Sequence, residues 1–493
     1  MSSLRCRIFR SFLVLVFVSA LAMFSLSGSA QTTVSQGSIQ GTVADQSGAV
    51  VPDAAITITS SATGQVVSVR TSSSGTYNSG GLPVGDYVVR VQAKGFKTAQ
   101  LTIPVQISVT SSGNVKLEVG QETTTVEVQT TAITVNTEQS TVQGVLSGEQ
   151  IDNMPVNGRS FLDLAQLEPG VQMQDGAAFD PTKVGYNALS VNGDFGRTPR
   201  IEVDGLDVSD ETVGTTTQNI AMSSIQEFNI GRSSFDISSE ITGSGTVNVA
   251  TRSGTNDYHG QAFYQFRDYR AGFADLPGAV SSQFQRNQFG GRFGGAIIKN
   301  KLFFFIDAER LKQDSADAVV AGAPFQFLTR GIDSPFKSTQ ASGRLDWQAA
   351  KNIRVFYKFA YDWNLSTSSD GTSFSYYANR DYTPTHALGI DINQGNWSHS
   401  IRLGYLKFHN QIIGDTNSQP AAINPFPYAE LTSTTPALEL GRTPWLRSRP
   451  CRVISKSNTM SAAFGARISS ASERPSMESL REVSLPSTNS LPI

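Results

Sequence analysis

The sequence predicts a mainly β protein in three parts: an N-terminal β-sandwich, a small α/β domain, and the first strands of an antiparallel β-barrel, left incomplete. Three observations carry this. Between residues 38 and 119, short alternating runs such as "AAITITS" and "GDYVVRVQA" are separated at regular intervals by turn clusters such as "SATG" and "LPVG", the pattern of a sandwich. From 147 to 170 the pattern changes to short capped helices. From Tyr258 onward the apolar period is two, with aromatic residues on one side, as in a membrane strand with one face to lipid.

The first residues set the compartment. Arg5, Arg7 and Arg10 precede "SFLVLVFVSALAMFSL", and the small residues "SGSA" follow, so residues 1–30 read as a secretory signal peptide cleaved between Ala30 and Gln31. Cys6 leaves with the signal, and Cys451 remains as the lone thiol of the mature chain. No intramolecular disulfide is then available, and stability rests on burial and strand pairing. The formal charge of −2, with both signs scattered, offers no basic face for nucleic acid. No apolar run beyond the signal approaches the ~18 residues of a membrane helix, so membrane entry would be by strands.

In the first part (31–120), Tyr87, Val89 and Val91 fall on one face of a strand and Val88 and Arg90 on the other, as in a half-buried strand. The order "GTVADQSGAVVPDAAITIT" then "SSGTYNSGGLPVGDYVVRVQAKGFKT" resembles the carboxypeptidase regulatory-like domain, a transthyretin-like or carbohydrate-binding-like sandwich. The resemblance implies no peptidase chemistry. None of His259, His386, His399 and His409 begins an HxxE or HExxH spacing, so no zinc site and no catalytic residue is expected, and no cofactor.

In the middle part (136–256), "SGEQ" at Ser147 has capping-box spacing, with Ile151 and Met154 on one face before Pro155. Ser160 with Asp163 reads as a second cap, followed by Phe161, Leu164, Ala165 and Leu167 at helical intervals, ending at Pro169 and Gly170. The turn "VNGR" would join two helices too short to stand alone in water. Asp204, Asp207 and Asp210 lack the calcium-loop spacing and distal Glu, which leaves them turn and loop roles. No GxGxxG, Walker or GxSxG pattern occurs, and nothing points to an enzyme.

"MPVNGRSFLDLAQLEPGV", "IEVDGLDVSD", "SIQEFNI" and "GSGTVNVATRSGTNDYHGQAFYQFRD" follow one another in an order that resembles TonB-dependent outer-membrane receptors of the Oar-like subtype. The resemblance implies a plug lodged in a β-barrel in the outer membrane of a Gram-negative-type bacterium. It also implies import of an unidentified ligand, with carbohydrate and peptide as candidate classes, driven by the periplasmic partner TonB. TonB would join by strand addition, and Val126, Glu127 and Val128, in a linker at 121–135, are the candidate TonB box. These residues also fit the last strand of the sandwich. A second reading is an exported binding or adhesion module that uses the sandwich without transport.

The barrel part (257–443) contains "NIRVFYKFAYDW", with Ile353, Val355, Tyr357, Phe359, Tyr361 and Trp363 on one side and Arg354, Lys358 and Asp362 on the other. "ASGRLDWQA" repeats this, joined through "AAKN", and "NQFGGRFGGAIIKNKLFFFIDAER" resembles an early hairpin of the Oar-like receptors. The 185 residues from Tyr258 to Arg442 allow roughly nine strands, too narrow a barrel for a plug. Residues 444–493 turn Ser- and Arg-rich and end at Ile493 without a terminal aromatic strand. The expectation is therefore a barrel broken by a frameshift or early stop near 442–450, not competent to transport alone, followed by an unmatched tail at 444–493; a genuine disordered tail is the alternative reading.

Overall fold

The computed structural model describes residues 35–120, 125–127, 142–196, 198–232, 242–271, 284–319, 330–369, 376–394 and 397–414, with short strands at 429–431, 438–440, 452–456 and 467–470. The expected signal, with Ala30 and Gln31, lies outside the described residues, as do Val128 and Ile493.

Alternation in the first part builds a two-sheet sandwich. One sheet joins Ser38–Asp45 to Thr76–Asn78, Thr110–Ser112 and Val115–Leu117; the other runs Val66–Arg70, Ala55–Ser60, Gly85–Gln92, Thr98–Val105, Thr125–Glu127. Tyr87, Val89 and Val91 all point into the shared core with Ile39, Val43 and Leu101, whereas Arg90 is exposed. The face assignment read from alternation is the observed one.

The second part is an α/β domain whose five-stranded sheet has the order Gln143–Ser147, Ile225–Gly231, Thr246–Thr251, Arg200–Val203, Leu206–Asp207. The capping box forms as expected: Ser147 Oγ accepts from Gln150 N at 3.4 Å, and Gln150 Oε1 accepts from Ser147 N at 2.9 Å, starting the helix Gly148–Asn153. The second cap does not form. Residues Phe161–Leu167 make a 3₁₀ helix with no side-chain cap from Ser160, because the Asp163 amide is already bonded to the Ser160 carbonyl at 3.1 Å. The tighter winding also changes the buried set: Leu162 joins Phe161, Leu164 and Ala165 in the core, and Leu167 is exposed.

The third part is one antiparallel sheet. Its long strands are His259–Asp268, Gln285–Ile298, Leu302–Asp314, Phe336–Ala350, Ile353–Ser369, Tyr376–Gln394 and Trp397–Leu406, the last continued by Phe408–Gly414. The last two segments pair with Tyr376–Gln394 in one unbroken register: Leu406 opposes Thr385 and His409 opposes Tyr382. The ladder lapses only around Pro384, which has no N–H to give to the Lys407 side. Among the described residues, seven membrane-length strands stand between 259 and 414; the expectation of about nine extended to 442, and most of 415–442 lies outside the described residues. Among the described residues the sheet is open, with His259–Asp268 at one edge.

Turns at Asn300–Lys301 and Lys351–Asn352 are tight, while the opposite ends are joined by the longer stretches 269–284 and 315–335. That asymmetry marks the tight-turn end as periplasmic. The outer face carries an apolar band that includes Tyr264, Phe293, Ile306, Trp347, Tyr357, Leu403 and Tyr405, all exposed. Substituting Ser147→Ala removes one half of the capping box and is expected to lower local stability by about 0.5–2 kcal/mol. Hydrogen exchange of the 148–153 amides reads the change.

Candidate functional site: the inner face of the barrel sheet

The inner face of the sheet is polar, and the α/β domain is fastened to it by charge. Register places Arg344 directly opposite Lys358, a like-charged cross-strand pair that would be unfavourable by itself. Asp204 resolves it. It occupies, with Gly205, a two-residue hairpin turn at φ +53° and +79°, the conformation that an Asp-Gly pair favours. The turn carries its carboxylate between the two cations: Arg344 Nη1 donates to Oδ1 at 3.1 Å and Lys358 Nζ to Oδ2 at 2.8 Å. Thr251 N and Oγ1 donate to the same carboxylate at 2.9 and 2.7 Å. Burial alone would raise the Asp204 carboxyl, but Lys358 and Arg344 hold it well below the usual carboxylate range.

The charge chain continues along the sheet. Arg344 also binds Asp346 at 2.9 Å, Asp346 binds Arg354 at 2.7 Å, Arg354 reaches Asp391 at 3.4 Å, and Asp391 binds Arg402 at 2.7 Å. The guanidinium groups of Arg344, Arg402 and Arg354 lie 4.4, 5.1 and 5.8 Å from the ring centre of buried Phe356, which supplies cation–π attraction. Polar residues on alternate positions of four strands therefore form one network centred on a carboxylate from another domain.

The turn "VNGR" makes a second anchor. Gly158 and Arg159 take positive φ (+83° and +51°), which turns the Arg159 side chain onto the wall. It forms a two-pronged pair with Glu309 (2.9 and 3.2 Å) and lies 4.1 Å over the Phe263 ring. The neighbouring Asn157 Oδ1 accepts from Arg286 and Arg267 at 2.9 and 3.1 Å. A third anchor is Asp152, bonded by Arg292 at 2.7 and 2.8 Å and by Arg252 at 3.1 Å. A fourth is a buried cluster near the far end. Lys183 pairs with Asp210 at 2.6 Å and sits 3.8 Å over Phe408, while Asp362 accepts from the Tyr186 hydroxyl and the Asn219 amide.

The sandwich meets the assembly from the periplasmic side. The amide of Ile107 donates to Glu227 Oε2 at 2.7 Å and its carbonyl accepts from Asn229 Nδ2 at 3.2 Å, so two side chains of one strand hold the backbone of a single residue. The sandwich also touches the tight-turn end of the sheet, where Asn393 Nδ2 donates to Gly81 O and Gly81 N to Ser398 Oγ. Burial pushes the Glu227 carboxyl from an ordinary 4.5 up to about 8, with Asp86 adding to the rise and the Ile107 amide opposing it.

Of the residues singled out in sequence, Val126 and Glu127 lie on the edge strand Thr125–Glu127, parallel to Thr98–Gln100 of the sandwich. Asp204, Asp207 and Asp210 serve turns and ion pairs: Asp207 accepts from Ser209 N and pairs with Arg200, and Asp210 accepts from Thr212 N. Sequence reading assigned Asp204 only a loop role and gave none to Arg159, Glu309 or Asp152. The signal it had was the charged side of each barrel strand; what those charges meet lies more than a hundred residues away.

A barrel sheet with an apolar outer band, a polar inner face and a domain fastened to that face defines a β-barrel protein of the outer membrane. The model of the carboxypeptidase regulatory-like domain matches residues 38–130, and that of an outer membrane beta barrel domain matches residues 250–334. Among curated proteins, the chain is similar to the TonB-dependent transporter Oar of Myxococcus xanthus, with 28% identity over 309 residues, or 59% of this chain and 28% of that protein. The chain thus spans just over a quarter of the curated relative's length. Solved structures similar to it include the outer membrane transporter YddB from Escherichia coli (12% identity, TM-score 0.45, 55% of this chain and 40% of that one) and the siderophore receptor PirA from Acinetobacter baumannii (19%, 0.43, 55% and 40%).

Two outcomes follow from these contacts. Asp204→Ala leaves Arg344 and Lys358 facing each other without their buried counter-charge and is expected to cost about 3–5 kcal/mol, read as a lower denaturant midpoint for the α/β domain. Because the Asp204 pKa is depressed when folded, its contribution is present above the unfolded carboxylate value of ~3.9 and lost as pH falls below it. Glu227 has the opposite sign. Its folded pKa is raised, so its contribution is full below 4.5 and fades as pH rises through about 8. Hydrogen exchange at 106–109, corrected for intrinsic rate, should therefore quicken between pH 6 and pH 9, and Glu227→Gln should abolish that pH dependence.

Proposed function

We propose that this chain acts in ligand-gated import across the outer membrane, with the α/β domain as the plug and TonB as the periplasmic source of mechanical work. The observation that carries the reading is how the plug is fastened. Its hold on the wall is polar and ionic, concentrated at Asp204, Arg159 and Asp152, and polar contacts can be exchanged for water one at a time where a continuous apolar seam cannot. The similarity to the TonB-dependent transporter Oar supports the same reading, and the chemistry is transport and not catalysis.

The TonB contact is assigned to Val126, Glu127 and Val128. Val126 and Glu127 belong to the edge strand of the sandwich, short and joined on one side to Thr98–Gln100. An edge strand exposes backbone donors and acceptors to an incoming strand. The segment also precedes the plug's first strand, Gln143–Ser147, which pairs with the strand bearing Glu227 and Asn229. Force applied at 126–128 would thus act on the sandwich edge and on the plug edge together.

The test is binding of the purified periplasmic domain of TonB to a synthetic peptide covering 121–135. Val126→Pro removes a backbone donor and is expected to weaken binding at least tenfold. Binding that is absent, or indifferent to this substitution, would remove the assignment. Resistance of the full chain to carbonate extraction from membranes separates this reading from a peripheral adhesion module, which carbonate would release.

A further inference from the structure

The barrel sheet contains a second like-charged cross-strand pair on its inner face. Arg267 stands directly opposite Arg286 in the first hairpin. In the Arg344–Lys358 pair the plug supplies a carboxylate, Asp204; here it supplies Asn157, a neutral amide whose Oδ1 accepts from both guanidinium groups. The other side chain bonded to Arg286 is Gln313, again through a neutral oxygen, accepting from Nε at 2.8 Å and Nη2 at 2.5 Å. Phe284 presents its ring to both cations at 5.3 and 5.2 Å. A plug carboxyl, Asp163, interacts with Arg286 electrostatically; burial raises it to about 6, so it carries charge at neutral pH, but the oxygens hydrogen-bonded to Arg286 are those of Asn157 and Gln313.

The cluster is open. Asn157 is exposed, and Arg267, Phe284 and Arg286 are half-buried. It lies at the end of the hairpin away from the tight turn at Asn300–Lys301, which is the extracellular end, and its arginines share the inner face with Glu309, the partner of Arg159.

We propose that Arg267 and Arg286, with Asn157 and the Phe284 ring, form a binding subsite for an anionic group of a solute entering from the extracellular side, a carboxylate or a phosphate. Two forked guanidinium groups match such a planar or tetrahedral oxyanion by two-pronged hydrogen bonding, and the ring favours a ligand with apolar or aromatic surface beside its charge. Since the side chains point to the inner face, the ligand is a solute and not a lipid headgroup. The inference deepens the import reading, on which its biological meaning rests.

The experiment is thermal unfolding of the full chain in detergent, at fixed ionic strength, with chloride replaced by ~10 mM inorganic phosphate or citrate. A raised Tm, by about 2 °C or more, is expected from ligand binding to the folded state. Asn157→Asp places in the pair the carboxylate that the ligand would bring, so this variant should melt higher than the wild type in chloride and show no further rise with either anion. Arg286→Gln should likewise lose the anion response. No anion-dependent rise in the wild type, or a rise retained in Asn157→Asp, would overturn the proposal. Neither readout involves TonB, so its failure leaves the strand-addition test standing and can be told apart from failure of the import reading.

Discussion

The placement of the plug depends on one unfavourable contact that the barrel resolves only in part, through the Arg344–Asp346 pair. Antiparallel register brings Arg344 against Lys358 on the inner face, and two cations at cross-strand distance in a poorly hydrated interior repel strongly. The carboxylate that resolves them is on the Asp204-Gly205 turn, and that turn reaches them only when the α/β domain is seated. At this point the wall leaves a cation pair short of negative charge, and the plug supplies it with Asp204, a buried acid that is costly to leave unpaired in a dry interior. Removing one partner is expensive, yet the seated state gains little beyond balance. A lock of this kind gives strong positional specificity without great affinity.

The other anchors follow the same chemistry with different stakes. Arg159–Glu309 and Asp152–Arg292 are two-pronged pairs, which fix orientation as well as distance. The pair Lys183–Asp210 is fully buried and braced by Phe408. Between these points the plug's apolar core turns inward upon itself, as Phe161, Leu164, Phe228 and Val249 pack within the domain, with Leu406 as a partly buried contribution from the wall. Cohesion within the domain is apolar and adhesion to the wall is polar. The domain's core is therefore almost wholly its own, with Leu406 the wall's addition to it.

Much of this was legible in the sequence, and the reason for each success or failure is physical. Local periodicities were reliable where one face is buried. The strand faces around Tyr87 and around Tyr357 were read correctly, because alternation has only two phases and burial chooses between them. The capping box at Ser147 formed, since both its partners are within one turn. Ser160 failed as a cap because the residues after it wind as 3₁₀, a choice set by packing against the hairpin Val171–Asp175 and Asn187–Val191 and absent from the local pattern. The ion pairs of the site were invisible for another reason: Asp204 and Lys358 lie 154 positions apart, and no local pattern encodes which cation a turn aspartate will meet.

The sandwich adds a constraint that follows from position. It contacts both the plug, through the Ile107 peptide held by Glu227 and Asn229, and the periplasmic end of the barrel, through Gly81 with Asn393 and Ser398. A body bonded to both halves of a seat resists their separation. The plug cannot move away from the wall along the periplasmic direction unless the sandwich gives up its contacts to one or the other. The contact with the plug is the weaker candidate to persist, because it depends on a buried carboxyl whose raised pKa leaves it partly charged near neutral pH, and ionising it in that setting costs desolvation energy. Of the two junctions, the one at Glu227 is therefore the one whose strength depends on pH.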